Sequence, residues 1–373
     1  NMATRCYAIK RKICDDRIAQ KAGSSAGVSL IEGACVCDTS LDLLKGVWTV
    51  TCTNGRIFQA RMLVAADGAS SNIGRKLGIV KTPPQGIACR RYVKGGTHNF
   101  KADGVLLYPE YTLPGYAALF RHYDDSIDLG AYFLPGGNVK EEDVADIYEK
   151  KLMTDPFVSR ALGPNFEFAE RLKVASLRLG GTDKSYGNHV LLVGDACGQV
   201  DPLTGEGIHT GMQGGVLAAK TIVEMFRQGN FSEAACKNYE AAWWNEFGKD
   251  FPMSDLAGKI VKRLPFLMDA VPIASAKKGG KDGSAFFADF GAVMTGVKPK
   301  STLLLPSVAI PLAAATMIQF VKQYILRIER TYMQDPFLDV EKALLCPTSW
   351  ESQCIVDSSV QVGKDHSLDN AEE

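Results

Sequence analysis

The stretch LLVGDACGQVDPLTGEGIHTGMQGG, at residues 191–215, constrains the fold more than any other part of the sequence. An apolar run ends at Gly194 and Asp195, and a glycine-rich segment containing Pro202 follows before a helical pattern resumes. A short, continuous apolar run is typical of a strand in a parallel sheet that is covered on both faces. Ligands of such sheets bind beyond the carboxyl ends of the strands, so the stretch predicts an α/β fold with a ligand site around Asp195.

The residue types in this stretch suit a particular kind of ligand. A carboxylate at the end of the strand can accept hydrogen bonds from the hydroxyls of a sugar or ribityl chain, and glycines let the backbone approach a flat or phosphorylated group. A helix that begins near Gly207 would direct its N–H groups and positive dipole end at that ligand. Such an end suits a developing negative charge, as on a reduced flavin. The alternative is a structural turn in which Asp195 is only a capping residue.

The whole run G-D-A-x-G-x-x-x-P-x-x-G-E-G-I resembles the second FAD-binding motif of the flavoprotein family that includes aromatic hydroxylases and geranylgeranyl reductases. The resemblance implies that Asp195, following Gly194, binds the ribityl chain. It also implies that four further residues lie against the isoalloxazine ring, namely Pro202, Gly205, Gly207 and Ile208.

A second stretch, MLVAADGASSNIGRKLG at residues 62–78, resembles the middle D-G motif of the same family. There the resemblance places Asp67 and Gly68 near the pyrophosphate of the cofactor and links them to nicotinamide handling. The family often has arginine at the position of Gly74, whereas here Arg75 follows one residue later. The alternative for this motif is an ordinary turn.

Residues 7–36 resemble the segment that presents a basic residue to the FAD phosphates, forms a helix and then passes the adenine as a strand. By position, Arg11 would contact the phosphates and Val36 would lie beside the adenine. We expect helices over 11–22 and 140–153 and a strand over 28–36. Because Lys10 and Lys12 flank Arg11, a solvated basic cluster is the alternative.

Within the family, DPLTGEGI, the segment PGYAALFRHYDDSIDLGAYF (114–133) and MTGVKPKSTLLLP (294–306) are most similar to the geranylgeranyl reductase group. That group has a β-hairpin lining its substrate cavity, which implies that the substrate contacts Tyr108, Tyr116, Ala118 and Phe120. Ala118 stands where the group has tryptophan, and Arg121 where it has proline, so the substrate stays open. Candidates for a proton donor are Tyr108, Tyr116 and His209, each of which has a structural alternative.

The predicted fold class is α/β, with a Rossmann-like FAD/NAD(P)-binding domain, an inserted antiparallel β-sheet substrate domain and a helical C-terminal region. The predicted boundaries are 1–85 and 181–230 for the two parts of the FAD-binding domain, 86–180 for the substrate domain, 231–363 for the helical region and 364–373 for a disordered tail. The family begins with a strand and G-x-G-x-x-G, for which this sequence has no counterpart. We therefore expect the chain to lack roughly 80 N-terminal residues of that pattern.

Composition excludes several classes of function. The net charge is zero and no basic stripe is present, so nucleic acid is not an expected partner. The five histidines and ten cysteines show no metal-ligand spacing, so we expect no metal. With no secretory signal, the expected location is intracellular: the cytoplasm, a plastid or a membrane surface.

The uncharged stretch TLLLPSVAIPLAAATMIQFV (302–321) is long enough to cross a bilayer, but Pro306 and Pro311 disfavour one straight helix. It could form a buried or substrate-tunnel segment, a peripheral membrane-docking surface, or a transmembrane helix.

The favoured function is an FAD-dependent reductase of isoprenoid double bonds that takes hydride from NADPH and binds a hydrophobic isoprenoid or similar apolar molecule. The alternatives are an FAD-dependent monooxygenase of the hydroxylase kind and a non-catalytic fragment of either enzyme. An iron–sulfur quinone oxidoreductase is disfavoured, because Cys346 and Cys354 alone do not provide a cluster site.

Overall fold

A computed structural model of the chain describes residues 8–96, 104–134, 140–275, 282–294 and 296–327. The strands in these ranges are β1 (Val36–Asp42), β2 (Val47–Cys52), β3 (Ile57–Ala60), β4 (Leu63–Ala65), β5 (Gly86–Lys94), β6 (Gly104–Leu107), β7 (Tyr116–Arg121), β8 (Ile127–Phe133), β9 (Glu167–Phe168), β10 (Lys173–Leu177), β11 (Tyr186–Gly187) and β12 (Val190–Leu192). The α-helices are α1 (Arg11–Gly23), α2 (Asn72–Lys76), α3 (Val144–Ile147), α4 (Pro156–Leu162), α5 (Ile208–Gln228), α6 (Glu233–Trp243), α7 (Phe251–Arg263), α8 (Phe266–Ser275), α9 (Asp282–Met294) and α10 (Pro306–Phe320). The predicted tail at 364–373 and the part of the helical region after 327 lie outside these ranges.

The two predicted motif strands are neighbours. β12 lies parallel to β4, with Leu191 opposite Val64, and β11 adds an antiparallel strand at the other side of β12. Both β4 and β12 end at the same edge, where Asp67 and Asp195 follow them in sequence. The Rossmann-like arrangement predicted from the apolar runs is therefore present in this part of the chain.

A separate antiparallel sheet has the order β10-β5-β8-β7-β6, with β9 paired to β5. One face carries residues such as Val93, Leu119 and Leu129, which form a core with α3 and α4. Because side chains alternate along a strand, the other face carries Tyr116 and its cross-strand partner Tyr132. This second face packs on the segment that follows β12. The sheet as a whole is the antiparallel sheet of the predicted fold class.

Two helical cores complete the fold. α5 and α6 cover β12 through a cluster that includes Leu191, Leu217 and Tyr239. α8, α9 and α10 form a second cluster around Phe286 and Val308. The predicted fold class, with its helical C-terminal region, is confirmed by this arrangement and by the structural comparison reported below.

Two predicted elements differ from the structure. The strand expected over 28–36 is wrong, since 28–35 contains no strand and β1 begins only at Val36. Gly33 has a positive φ of 64°, Leu30 and Ile31 are exposed, and none of the strands that the structure describes pairs with this apolar run. The helix expected over 140–153 is a series of short 3₁₀, α and π turns.

Half of the residues in the uncharged segment at 302–321 are exposed, and only three are buried. It forms a 3₁₀ turn followed by α10, which continues as a π turn to Ile325 with Pro311 inside the helix. The stretch Pro306–Ile325 is long and apolar enough to cross a membrane, and only 11% of its most apolar 18-residue window is buried.

Candidate functional site

The turn after β12 is held by one glutamine that the sequence did not single out. Gln199 is 1% exposed, and its Oε1 accepts a hydrogen bond of 2.8 Å from the N–H of Gly194. Its Nε2 donates to the hydroxyl of Tyr239 at 2.6 Å, and its carbonyl accepts from the hydroxyl of Thr210 at 2.5 Å. Gly194 takes a φ of 61°, which favours glycine. These contacts fix the position of Asp195, which follows.

The glycines of α5 let the helix begin against this turn. A Cβ on Gly211 would lie 3.4 Å from the Cα of Gly194, and a Cβ on Gly214 would lie 2.1 Å from the Oε1 of Gln199. A Cβ on Gly207 would lie 3.5 Å from the Oδ1 of Asp195. The N-terminus of α5 is therefore directly beside the Asp195 carboxylate, as the sequence predicted.

This helix end is suited to bind an anion or a hydroxyl-rich ligand. The first intrahelical bond joins the N–H of Gly211 to the carbonyl of Gly207, so the amides of the three residues between them have no helical acceptor. Gly207 provides no side-chain cap. The positive end of a 21-residue helix thus remains available for a ligand.

Asp195 and Arg11 are electrostatically coupled. Burial raises the pKa of Asp195, and the positive charge of Arg11 opposes this shift. The guanidinium of Arg11 itself forms two hydrogen bonds of 2.9 Å with Asp15, within α1. The structure therefore brings Arg11 towards Asp195, while its donors are engaged by a neighbour on its own helix.

The loop over 201–207 is held by a buried carboxylate. Oδ1 of Asp201 accepts from the amides of Leu203 and Thr204 at 2.8 and 2.9 Å. Oδ2 accepts from the hydroxyl of Ser254 at 2.8 Å and lies 3.3 Å from the ammonium of Lys300. Both charged side chains are less than 10% exposed. These buried contacts of Asp201 therefore hold the loop that contains Pro202 and Gly205.

Tyrosines of the antiparallel sheet cover the same loop. The hydroxyl of Tyr116 donates to the carbonyl of Thr204 at 2.6 Å, and a Cβ on Gly205 would lie 2.9 Å from the ring of Tyr132. The rings of Tyr108 and Tyr116 are 6.0 Å apart, and burial raises the pKa of Tyr108 to about 12. The predicted substrate-facing tyrosines therefore lie against the predicted cofactor loop.

The other two predicted substrate residues, Ala118 and Phe120, lie on the same sheet face as Tyr116. Ala118 is buried on β7 beside Tyr116, whereas Phe120, two residues further along, is 39% exposed. Alternation places both on the same face as Tyr116. All four predicted substrate residues are thus on two adjacent parts of the chain, near one surface.

A pocket of about 70 Å³ lies behind the loop. It contains Glu206, His209 and Lys300, and a Cβ on Gly296 would lie 2.9 Å from Oε2 of Glu206 and 3.1 Å from Cε1 of His209. Burial raises the pKa of Glu206 to about 7, opposed by Lys300. Burial lowers the pKa of His209, opposed by Asp201. A proton can therefore be exchanged at Glu206 near neutral pH.

The D-G motif has a clear structural role. Oδ2 of Asp67 accepts a hydrogen bond of 2.8 Å from the amide of Ile73, which caps the start of α2. Gly68 has a φ of 75° with open space beyond its Cα. A Cβ on Gly74 would lie 2.7 Å from Leu192, so no arginine fits at the position where the family often has one. Whether Asp67 also contacts a cofactor stays a prediction.

Arg178 is a further residue that sequence reasoning missed. It is fully buried at the end of β10, and its guanidinium donates to the carbonyls of Thr82 and Ala69 at 2.7 and 2.9 Å. Burial lowers its pKa, and Arg75 lowers it further. Arg178 therefore joins the loop after the D-G motif to the sheet, and only the long-range contacts could reveal this role.

The remaining predicted cofactor residues are more exposed. Val36 begins β1 opposite Cys52 and is 42% exposed, and Ile208 is 53% exposed at the start of α5. The structure thus brings Asp195, Gly194, Gly207 and Arg11 into one region, with the loop of Pro202 and Gly205 beside it. Three features of this region suit a flavin: the open N-terminus of α5, the carboxylate of Asp195 and the closely packed glycines.

Comparisons with known proteins agree with this geometry. A sequence model of the tryptophan halogenase family matches residues 147–253. The chain is 42% identical over 307 residues to conditioned medium factor receptor 1 of Dictyostelium discoideum, covering 81% of this chain and 59% of that protein. It is 29% identical over 211 residues to digeranylgeranylglycerophospholipid reductase 2 of Methanopyrus kandleri, covering 55% of this chain and 52% of that enzyme.

The fold also matches solved flavoproteins. A geranylgeranyl bacteriochlorophyll reductase-like protein of Thermoplasma acidophilum superimposes with a TM-score of 0.54 at 18% identity, covering 70% of this chain and 67% of that one. The chain spans only a little over half the length of the two relatives above. The predicted resemblance to the geranylgeranyl reductase group of FAD-dependent oxidoreductases is confirmed by these similarities.

Proposed function

We propose that the protein is an FAD-dependent oxidoreductase that reduces double bonds of an isoprenoid chain with hydride derived from NADPH. The observation that carries this proposal is the open N-terminus of α5 beside the buried turn of Asp195. The similarity to digeranylgeranylglycerophospholipid reductases supports the choice of substrate class.

Different residues of this site would bind different parts of FAD. Asp195 would accept hydrogen bonds from the ribityl hydroxyls, and the first amides of α5 would face the pyrimidine edge of the ring. The backbone at Pro202, Gly205 and Gly207 would lie along the ring, and Arg11 would lie on the phosphate side. When bound, FAD supplies hydride transfer from the nicotinamide and on to the substrate.

The chain also provides groups that can hold a proton near the loop. Tyr116 donates to the carbonyl of Thr204, so its proton is already engaged. Glu206 lies between two glycines of the loop, and burial raises its pKa to about 7, so both of its protonation states are populated near neutral pH. We infer that Glu206 is a proton reservoir for the site, alongside the predicted candidates Tyr108 and His209.

An apolar substrate suits the adjacent sheet face. A prenyl chain contributes about 0.8 kcal/mol for each buried methylene, so its binding needs few polar contacts. Ala118 lies on this face between the tyrosine cluster and Phe120, and its side chain would take less space than the tryptophan that the reductase group has there.

The direct test is anaerobic turnover. The full-length protein, loaded with FAD, is mixed with NADPH and a geranylgeranyl lipid, and the products are analysed by mass spectrometry. The proposal expects products heavier by two hydrogens for each reduced bond. An FAD-loaded protein that oxidises NADPH but leaves the lipid unchanged contradicts the substrate class, and a folded protein that binds no FAD favours the non-catalytic alternative.

A monooxygenase-type or halogenase-type oxidation is the second candidate, because the halogenase family model matches residues 147–253. An oxygen electrode separates the two functions. Substrate-dependent oxygen consumption, with an oxygenated or halogenated product, supports this second candidate.

A further inference from the structure

The outer side of α10 and the turns before and after it form an apolar surface. We call it the apolar platform, and it comprises Leu304, Ile310, Met317, Ile318, Tyr324 and Ile325, which are between 47% and 72% exposed. A surface helix normally shows charged residues to water on this side. Here residues 302–321 contain no charged residue at all.

The opposite side of α10 is already occupied. Val308 is fully buried and Ala315 is 3% exposed, and both pack in the cluster formed with α8 and α9. The helix is therefore fixed to the protein by one side while the platform faces outward. A contiguous exposed apolar patch of this kind marks an interaction site.

A basic rim borders one end of the platform. Lys322 and Arg327 follow α10, and Lys262 and Arg263 end α7; all four are exposed. The ring of Phe266, just after α7, lies 5.6 Å from that of Tyr324, which places the two pairs of basic residues at the same end. The acidic Asp269 also lies there, where it accepts a hydrogen bond from Gln323 at 3.0 Å.

An apolar groove opens between α8 and α10. It has a volume of about 580 Å³ and is lined by Leu267, Leu312 and Phe320 among others. The groove extends the platform with surface of the same character. Stacked Phe320 and Tyr324, with ring centroids 5.2 Å apart, stand between the groove and the basic rim.

We propose that this face docks peripherally on an anionic lipid bilayer. The platform enters the boundary of the hydrocarbon region, the aromatic pair lies at the level of the headgroups, and the basic rim contacts anionic headgroups. The charges favour an anionic bilayer over other partners of this face. An exposed apolar surface could bind any apolar partner, whereas the four basic residues add attraction for an anionic surface. Peripheral docking also keeps Val308 and Ala315 in their core, which a membrane-spanning α10 would have to leave.

The test uses co-sedimentation of the full-length protein with vesicles of phosphatidylcholine, with and without phosphatidylglycerol. We expect binding to the anionic vesicles and at least tenfold weaker binding to the neutral ones. The platform variant carries I310S, M317S and I325S, and the rim variant carries K262E, R263E, K322E and R327E. The rim variant should weaken binding to anionic vesicles by at least tenfold, since one basic residue contributes about fivefold. The platform variant should also weaken it by at least tenfold, because binding depends on the apolar area buried in the bilayer.

Matched controls separate docking from general changes in surface character. Leu44 is fully exposed on the turn between β1 and β2, and Lys220 is exposed on α5, so L44S and K220E should bind vesicles like the unmodified protein. Circular dichroism must show that all variants are folded. In M317W, brominated lipids should quench the new tryptophan.

Four results would overturn the proposal. The first is that the unmodified protein fails to bind anionic vesicles, and the second is that the platform variant binds them as tightly as the unmodified protein. The third is that the unmodified protein forms a dimer that the platform variant does not form. The fourth is that carbonate fails to extract the bound protein from the vesicles. The third result would assign the face to a second copy of this chain, and the fourth to a membrane-spanning helix. None of these readouts depends on FAD or on turnover.

Discussion

The buried ion pair between Lys300 and Asp201 makes the loop over 201–207 sensitive to one substitution. In K300M, the carboxylate of Asp201 keeps its bonds from two amides and Ser254, but loses the ammonium 3.3 Å away. At that distance, an effective dielectric constant of about 20 gives an attraction of about 5 kcal/mol. Because removing one partner leaves an uncompensated buried charge, we expect the free energy of unfolding to fall by about 3–5 kcal/mol.

A double-mutant cycle gives the measurement. The free energy of unfolding is determined by urea denaturation for K300M, D201N and the double variant. The double variant removes both charges, so it should be destabilised less than the sum of the single variants, with a coupling of about 2–3 kcal/mol. The exposed pair of Lys259 and Asp255 serves as the control, and K259M should change stability by about 0.5 kcal/mol or less.

The reasoning would be refuted by additive effects. If K300M and D201N add within experimental error, the two charges do not stabilise each other, and the loop is held by the hydrogen bonds that Asp201 accepts from two amides and Ser254. A coupling no larger than that of the surface pair would lead to the same conclusion.

Three further predictions test the site. D195A in the full-length protein should weaken FAD binding tenfold to a hundredfold, about 1.5–3 kcal/mol, by isothermal titration, and unchanged affinity would remove Asp195 from the site. The folded-state pKa of Glu206 is raised from 4.5 to about 7, so its ionisation lowers stability as pH rises through that window. E206Q should therefore gain up to about 3 kcal/mol over the unmodified protein at pH 8 and nothing below pH 4.5 in denaturant titrations, and a constant difference would contradict the assignment. G74A should lose about 1–3 kcal/mol because its Cβ would clash with Leu192, whereas G215A, with open space, should not be destabilised; equal thermal midpoints would contradict this.

The sequence could predict the parts of the site that depend on local residue types. The apolar runs before Asp67 and Asp195, and the glycines between Gly194 and Gly207, each reflect a strand end or a close approach within a few residues. These features determine where the strands end and where α5 begins. The structure agrees with both.

The sequence could not predict contacts that depend on distant partners. Arg178 and Lys300 are ordinary polar residues in sequence, and each acquires its role from residues that are remote along the chain. Gln199 is similar, because it joins nearby Gly194 to Tyr239, forty residues later. Gly74 is a related case, because its packing against Leu192 explains the absence of an arginine that family resemblance alone left unexplained.

The misread strand over 28–36 has a different cause. Its apolar residues match a strand pattern, but a strand also needs a neighbour to pair with, and pairing is not a local property. Gly33 turns the backbone before Val36, where pairing with Cys52 begins.

The loop over 201–207 is held from three separate regions: Tyr116 of β7, Ser254 of α7 and Lys300 before α10. A ligand that binds only to this loop would therefore make opening of all three regions less frequent. In hydrogen–deuterium exchange, the slowing should extend along β7 and α7 to amides that no ligand touches. Slower exchange in an element would then show that the element is held by this loop. It would also show that a ligand occupies the site, even though the measured amides do not contact the ligand.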